Sequence, residues 1–450
     1  MFRLSDVAMS SSRPVAVASR RARLAALMAV SCVAGATDSV MSPYLCPLVR
    51  ARTGAGASLC GLMISARFAT HIVFVLVLGQ AVARLGAARM LVTSALLCGL
   101  ANMLLASVEL VTPATTFTLL CFTFLVLSMV ADSGVFCSIY VLAAQATAPQ
   151  HGEAGAGLSA SGPAWVETLY GCGAMLGPPL GGLIFSRCGF GGVILLLGAT
   201  MATAALGTWR LYTPLAGPRP QPAPGHEETA ADTAADTADQ QQSYLSILAS
   251  PVAALCCVLQ ISSGTVGAWY LSSLQSHLSG TLGLATEQVG LVYMCPSLVY
   301  TLLTPLVGHV LDTCAGHVAT PLLYLGLTAN ILGYLLLGPS SLLSHVSPHV
   351  ASTVAGLVLI GVGQATCLIT CLTIILRVTP DSRREGVAGK VTSVWECCEM
   401  VGGYLGSVLG GIAADTHGFR AATTAVLGLE TGLLLLLMPV FSVMYCRKVR

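Results

Sequence analysis

The stretch ETLYGCGAMLGPPLGGLIFSRCGF, Glu167 to Phe190, has a counterpart in ECCEMVGGYLGSVLGGIAADTHGF, Glu396 to Phe419. A shift of 229 residues lays Glu167 on Glu396, Gly173 on Gly402 and Gly177 on Gly406. The same shift lays Gly181-Gly182 on Gly410-Gly411, Gly189-Phe190 on Gly418-Phe419 and, further out, Gly79 on Gly308. A chain with 47 Gly matches a few glycines by chance. It rarely matches a Glu inside an apolar run and a Gly-Phe pair in one register. The reading is a parallel duplication, the arrangement that sets two helix bundles about an axis along the membrane normal.

The composition around these stretches fits that reading. Of 450 residues, 55% are hydrophobic and 9% charged, with mean hydropathy +0.81. A soluble domain carries about 25% charged residues. So few charges exclude a cytosolic enzyme, a nucleic-acid binder, a disordered chain and a secreted disulfide scaffold. The net charge of +2 implies no polyanionic partner. The 17 Cys lack paired spacing, and Cys256-Cys257 and Cys397-Cys398 are not zinc-ligand spacings; they read as free thiols acting as small hydrophobes.

A membrane span needs about 20 apolar residues. Twelve are expected, at roughly 24–47, 58–81, 89–109, 114–145, 162–186, 191–213, 245–272, 288–310, 320–340, 350–376, 389–413 and 420–446. The fold class is an all-α membrane protein: twelve transmembrane helices in two pseudo-symmetric six-helix bundles. Residues 1–23 and 447–450 read as tails, 24–214 and 244–446 as the bundles, and 215–243 as an acidic, low-complexity, disordered linker. Sixteen Lys and Arg fall on the side of the termini and four (Arg50, Arg52, Arg187, Arg420) on the other, which places both termini in the cytosol. Only Arg67 falls inside a span.

Two loops and one helix carry recognisable motifs. GQAVARLGAAR, Gly79 to Arg89, and GHVLDTCAG, Gly308 to Gly316, each resemble the G-x-x-x-D-R-x-G loop of the major facilitator superfamily. The first has Ala83 where Asp is expected but keeps Arg84. The second keeps Asp312 but has Thr313 in place of the base. GCGAMLGPPLGG, Gly171 to Gly182, resembles the antiporter motif, with Gly177, Pro178, Gly181 and Gly182 at its spacing. There the glycines admit a close neighbour and Pro178 invites a kink. Asp38 and Pro47 in span one and LGLATEQVGLVY, Leu282 to Tyr293, are similar to the vesicular amine transporters. Glu167 and the run from Trp395 to Phe419 look most like the vesicular polyamine transporter branch. The resemblance implies the major facilitator fold and proton-coupled loading of organic cations into acidic vesicles. Two departures weigh against monoamines. Leu271 stands where that family has an acid in span seven, and Gln364 where the amine branch has an Asp in span ten.

The charges inside the spans carry the chemistry. Six acids (Asp38, Asp132, Glu167, Glu396, Glu399, Glu430) face one base, Arg67. Charge in a bilayer costs several kcal/mol unless paired or hydrated, so each is a functional candidate. A carboxylate sheltered from water holds a proton more readily, which lets protons and a cation compete for one site. Glu399 ranks first. It lies three residues from Glu396 on one helix face and roughly 12–16 Å deep in span eleven. Glu396 and Glu167 either line the cavity nearer the cytosol or brace neighbouring helices. Asp38 either serves substrate and coupling or pairs with Arg67, and Arg67 reads as a structural counter-ion to Asp38 or a span-eleven Glu. Asp132 lines a cavity or bonds a helix. Glu430 is expected to have a local partner. His71 reads as a packing histidine, and His277, His345 and His349 as solvated loop histidines. Trp165, Trp269, Tyr270 and Tyr404 read as packing or anchoring residues rather than cation–π walls.

These readings converge on a secondary active transporter, not an enzyme, exchanging protons for a small organic cation by alternating access. No metal, nucleotide or other cofactor is implied, no ATP-binding P-loop is present, and the partners are protons, the cation and the lipid bilayer. A monomer in a secretory or synaptic-type vesicle membrane, or otherwise the plasma membrane, is expected. A facilitator of a neutral or anionic solute, or a transport-inactive sensor that kept the fold, are the alternatives.

Overall fold

In the computed structural model the described residues are 5–147, 161–212, 244–314, 318–343, 345–380 and 385–449. The linker 215–243 lies outside them, as do residues 1–4 and 450 of the two tails. The described residues contain helices and no strand. Without water to bond, a backbone in lipid must satisfy its own N–H and C=O groups, and an all-helical chain does so.

Helix α1 spans Ser5–Thr53, α2 Ala57–Leu85, α3 Ala87–Ser107 and α4 Ala114–Thr147. One continuous helical stretch, Ser161–Tyr212, is broken at Gly189 (φ 69°, ψ −171°) and forms two crossings, α5 (161–188) and α6 (190–212). The second half holds α7 (Pro251–Trp269), α8 (Thr286–Thr313), α9 (Ala319–Leu336), α10 (Val350–Val378), α11 (Glu385–His417) and α12 (419–449). Eleven described helices are long and apolar enough to cross a membrane. Because the Trp165–Tyr212 span is two crossings joined at Gly189, the count of twelve holds. An even count puts the outer ends of α1 and α12 on one side, called here the near side.

The corner between α11 and α12 repeats the one between α5 and α6. Gly418, 229 residues after Gly189, has φ 80° and ψ 164°. Both are left-handed conformations that a side chain would oppose, so the Gly-Phe pairs mark the same turn twice. Pro178 and Pro179 do not break α5; within Ser161–Tyr212 the non-helical residue is Gly189.

The motif glycines act by close approach. A Cβ on Gly173 would fall on the Cys32 carbonyl and one on Gly181 would lie 2.8 Å from the Tyr44 ring, so α5 lies directly against α1. Their counterparts do the same across α11 and α7: Gly402 meets the Ile261 carbonyl, Gly406 that of Thr265 and Gly410 that of Trp269. In a bilayer such small-residue contact is a main source of helix association.

Four buried apolar clusters form the core, two in each half. One gathers Tyr44, Phe117 and Phe190, and a second Leu27, Leu91 and Tyr212. In the second half, Trp269, Tyr334 and Ile360 form one, and Ile375, Phe441 and Tyr445 the other. Their buried residues do not cross between the halves. The halves meet instead along α2 against α11 and α5 against α8. Exposed Leu100, Leu119, Leu302 and Leu436 face outward, as lipid-facing residues do.

Candidate functional site

The ionisable side chains inside the spans fall into two groups, one within the first half and one shared between the halves. In the first half, Arg67 of α2 makes an ion pair with Asp38 of α1, and the Tyr170 hydroxyl of α5 donates to the other oxygen of Asp38. Arg67 also reaches the Met129 thioether at 3.8 Å. Asp132 of α4 lies in the field of both charges and lines a small cavity with Tyr140 and Tyr170. The pair with Arg67, one of the two readings of Asp38, is present. One turn along α2, His71 is buried and its Nδ1 lies 3.1 Å from the Ser133 hydroxyl, as expected of a packing histidine.

The second group is a tier of three carboxylates. Glu167 of α5 accepts a hydrogen bond from the Tyr140 hydroxyl. Glu399 of α11 accepts one from the Gln260 amide of α7 at 3.0 Å. Glu396 lies in the field of Glu167, and Glu399 in that of Glu396. Tyr300 of α8 feels all three. No Lys or Arg stands among the electrostatic partners of the three acids within the described residues. Among the described residues, the first group is thus compensated and the second is not.

The repeat locates the axis of this tier. Residues related by the internal shift can meet only near the pseudo-twofold axis. Glu167 and Glu396, 229 apart, lie in each other's electrostatic range from opposite halves, with Glu167 itself exposed. Ser42 and Leu271, also 229 apart, meet on the far side, where the Ser42 hydroxyl donates to the Leu271 carbonyl. Leu271 packs against the clusters of both halves, so the place where the resemblance calls for an acid is filled by an apolar bridge. Gln364 is held in its own half, its amide donating to the Ser263 carbonyl at 2.8 Å.

Other expected residues lie apart. Glu430 has the local partners anticipated for it: it is buried, accepting from the Ser262 hydroxyl and, at 3.2 Å, from the Asn330 amide. Arg84 and Asp312 are exposed, and neither joins an ion pair among the described residues. No side chain approaches Gly308, and Gly79 lies within α2. Pro178 lends its carbonyl to the Tyr44 hydroxyl, while a Cβ on Gly177 would lie 2.8 Å from the Ala36 carbonyl and one on Gly182 2.9 Å from the Tyr44 hydroxyl. His277 departs from the expectation of a solvated loop: it is buried and stacks on Phe419 with centroids 4.3 Å apart. The π-helical turn His277–Thr281 carries it inward.

Sequence reasoning missed Tyr140, Tyr170, Gln260 and Tyr300. Tyr170 had a signal, because the repeat that equates Glu167 with Glu396 also equates Tyr170 with Glu399. The same position carries a hydroxyl in one half and a carboxylate in the other.

A family model described as Major Facilitator Superfamily matches residues 27–270 and 256–445. Proteins named MFS-type transporter SLC18B1 from Rattus norvegicus and Homo sapiens are each 24% identical to this chain, over 410 and 408 residues. These alignments cover 90% and 89% of this chain and 83% of each relative. Among solved structures, a bacterial homologue of the human lysosomal transporter Spinster, inward-facing and unoccupied, matches with TM-score 0.69 at 13% identity over 96% of this chain and 97% of that one. The nucleoside transporter NupG matches with TM-score 0.67 at 12% identity over 95% and 99%. At such identity the structures speak for the fold alone.

Proposed function

The chain belongs to the major facilitator superfamily, a family of membrane transporters rather than enzymes, and on that premise we propose that it exchanges protons for a small organic cation by alternating access. One observation carries the reading: Glu167 of one half and Glu396 and Glu399 of the other lie in successive electrostatic range, with no basic residue among their described electrostatic partners. Uncompensated negative charge in a membrane interior is costly unless something cationic or a proton occupies it. In this mechanism an organic ammonium binds from the near, cytosolic side against the three acids and the Tyr300 ring. Rocking of the halves exposes the tier to the acidic far side, where protons take the carboxylates and the cation leaves. Deprotonation towards the cytosol restores the site.

Gln260 and Tyr140 aim Glu399 and Glu167, while the Asp38–Arg67–Tyr170 group holds the first half's helices in register. A chain of acids suits a cargo with more than one ammonium group, such as a polyamine, and the resemblance to the vesicular polyamine branch supports the same class. A vesicle membrane, cytosolic termini and a monomer complete the proposal. Leu271 favours one second reading, a facilitator of a neutral or anionic solute, because it removes a charge from the path.

The test is uptake of radiolabelled spermidine, a monoamine and neutral solutes into proteoliposomes with an imposed pH gradient. Spermidine uptake that falls when the gradient is collapsed is expected. Uptake indifferent to the gradient ends the exchange mechanism, and uptake of neutral solutes alone supports the facilitator.

A further inference from the structure

Helix α2 begins on the far side without a cap of its own. Gly56 holds the N-cap position and offers no side chain to the free N–H groups of the first turn. The cap comes from the other half. Asp415, in the last turn of α11, accepts the Ala57 N–H at 2.6 Å, the Ser58 N–H at 2.7 Å and the Ser58 hydroxyl at 2.6 Å. The helix dipole favours a carboxylate there as well. A Cβ on Gly56 would fall on that carboxylate, so the absent side chain is what admits it. Just below, a Cβ on Gly411 would lie 2.7 Å from the Ala57 carbonyl and one on Gly61 would fall on that of Ser407. The two backbones are in contact, and the cap is lost as soon as the halves part here.

The internal repeat supplies a partner to this arrangement. Shifting by 229 residues turns Asp415 into Ser186 and Ser58 into Glu287. Ser186 lies at the end of α5, its hydroxyl donating to the Leu183 carbonyl at 3.1 Å, and Glu287 opens α8 in the field of the Ser186 hydroxyl and of Arg187. A Cβ on Gly182 would lie 3.1 Å from the Glu287 Cα, so these helices too are in contact. The acid and the hydroxyl have changed sides between the two copies.

We infer that Asp415 on the α2 N-terminus and Glu287 beside Ser186 are reciprocal latches that hold the far side of the molecule shut and must release for it to open. They use neither the carboxylate tier nor any particular cargo, so a result against them leaves the proposed exchange standing.

The experiment reads far-side opening directly. Ser407, fully buried between α11 and α2, is replaced by Cys in the otherwise intact chain. Its modification by a membrane-impermeant maleimide added to the far side of proteoliposomes is followed by mass spectrometry of the peptide that contains it. Asp415→Asn in this background should raise the rate about fivefold, the effect of losing one exposed helix cap. Ser58→Ala should raise it less, and Asp415→Asn with Glu287→Gln more than either alone. The exchange Ser58→Glu with Asp415→Ser rebuilds the α5/α8 arrangement at the α2/α11 contact and should return the rate towards the parent's. A rate unchanged in Asp415→Asn overturns the inference. If that variant does not assemble, Gly56→Ala, which crowds the carboxylate out, and Ser58→Ala carry the same comparison, and parental rates in both are equally decisive against it.

Discussion

At the scale of single residues, compensation separates the acids. Asp38 has Arg67 and Tyr170, whereas among the described residues Glu399 bonds to the amide of Gln260 alone. Glu399→Gln is expected to lower gradient-driven uptake about tenfold, the effect of losing one charge-assisted contact, while the protein's melting temperature holds. Asp38→Asn is expected to act on stability instead, by stranding Arg67. A loss of about 3 kcal/mol is expected, at the low end for a broken buried pair because 27% of the Asp38 side chain stays open to solvent. Asp38→Asn combined with Arg67→Met should recover much of that loss, and thermal unfolding of the four proteins in detergent measures the cycle. The acids themselves were legible in the sequence, because a charge inside an apolar run stands out. So was Arg67 as a counter-ion for Asp38, but the neutral partners were not. Tyr and Gln in a span are ordinary residues until the fold turns them towards a carboxylate, and only Tyr170 was marked, by its register with Glu399.

At the scale of the helix, glycines with identical local conformation do different things. Gly173 leaves no room for a side chain against the Cys32 carbonyl, while Gly207 and Gly428 face open space. Gly173→Ala should destabilise by about 1–3 kcal/mol through overpacking. Gly207→Ala and Gly428→Ala should be neutral or stabilise by up to about 1 kcal/mol, since Ala is the better helix former. Melting temperatures of the three variants test the contrast. The spans and the α5/α6 and α11/α12 corners were readable from apolar length and the repeated Gly-Phe pairs. The π-helical turns at His277–Thr281 and Leu433–Leu437 were not, because an extra residue in a helical turn depends on what packs around it and leaves no periodicity behind. That is why His277 was expected in solvent and is found stacked on Phe419.

At the scale of the molecule, each half carries its own two apolar clusters, and the halves touch along two helix pairs. Two separately expressed pieces, 1–214 and 244–450, are therefore expected to assemble, with co-purification and spermidine uptake at the affinity of the intact chain. Failure of the pieces to associate would show that the connection between them is part of the packing. The duplication was visible in the sequence, and the pairing of α2 with α11 and of α5 with α8 follows its symmetry. What lay beyond the sequence was the nature of the surface on the axis. There, Leu271 seals the far end with hydrocarbon and a backbone carbonyl. A seal of that kind has no protonation state. Under the proposed exchange, an empty carrier with this plug is expected to reset without waiting for an ion at that position, and to move one hydrogen ion fewer per cycle than a transporter with an acid there. At a given vesicle acidity, such a carrier reaches a shallower cargo gradient.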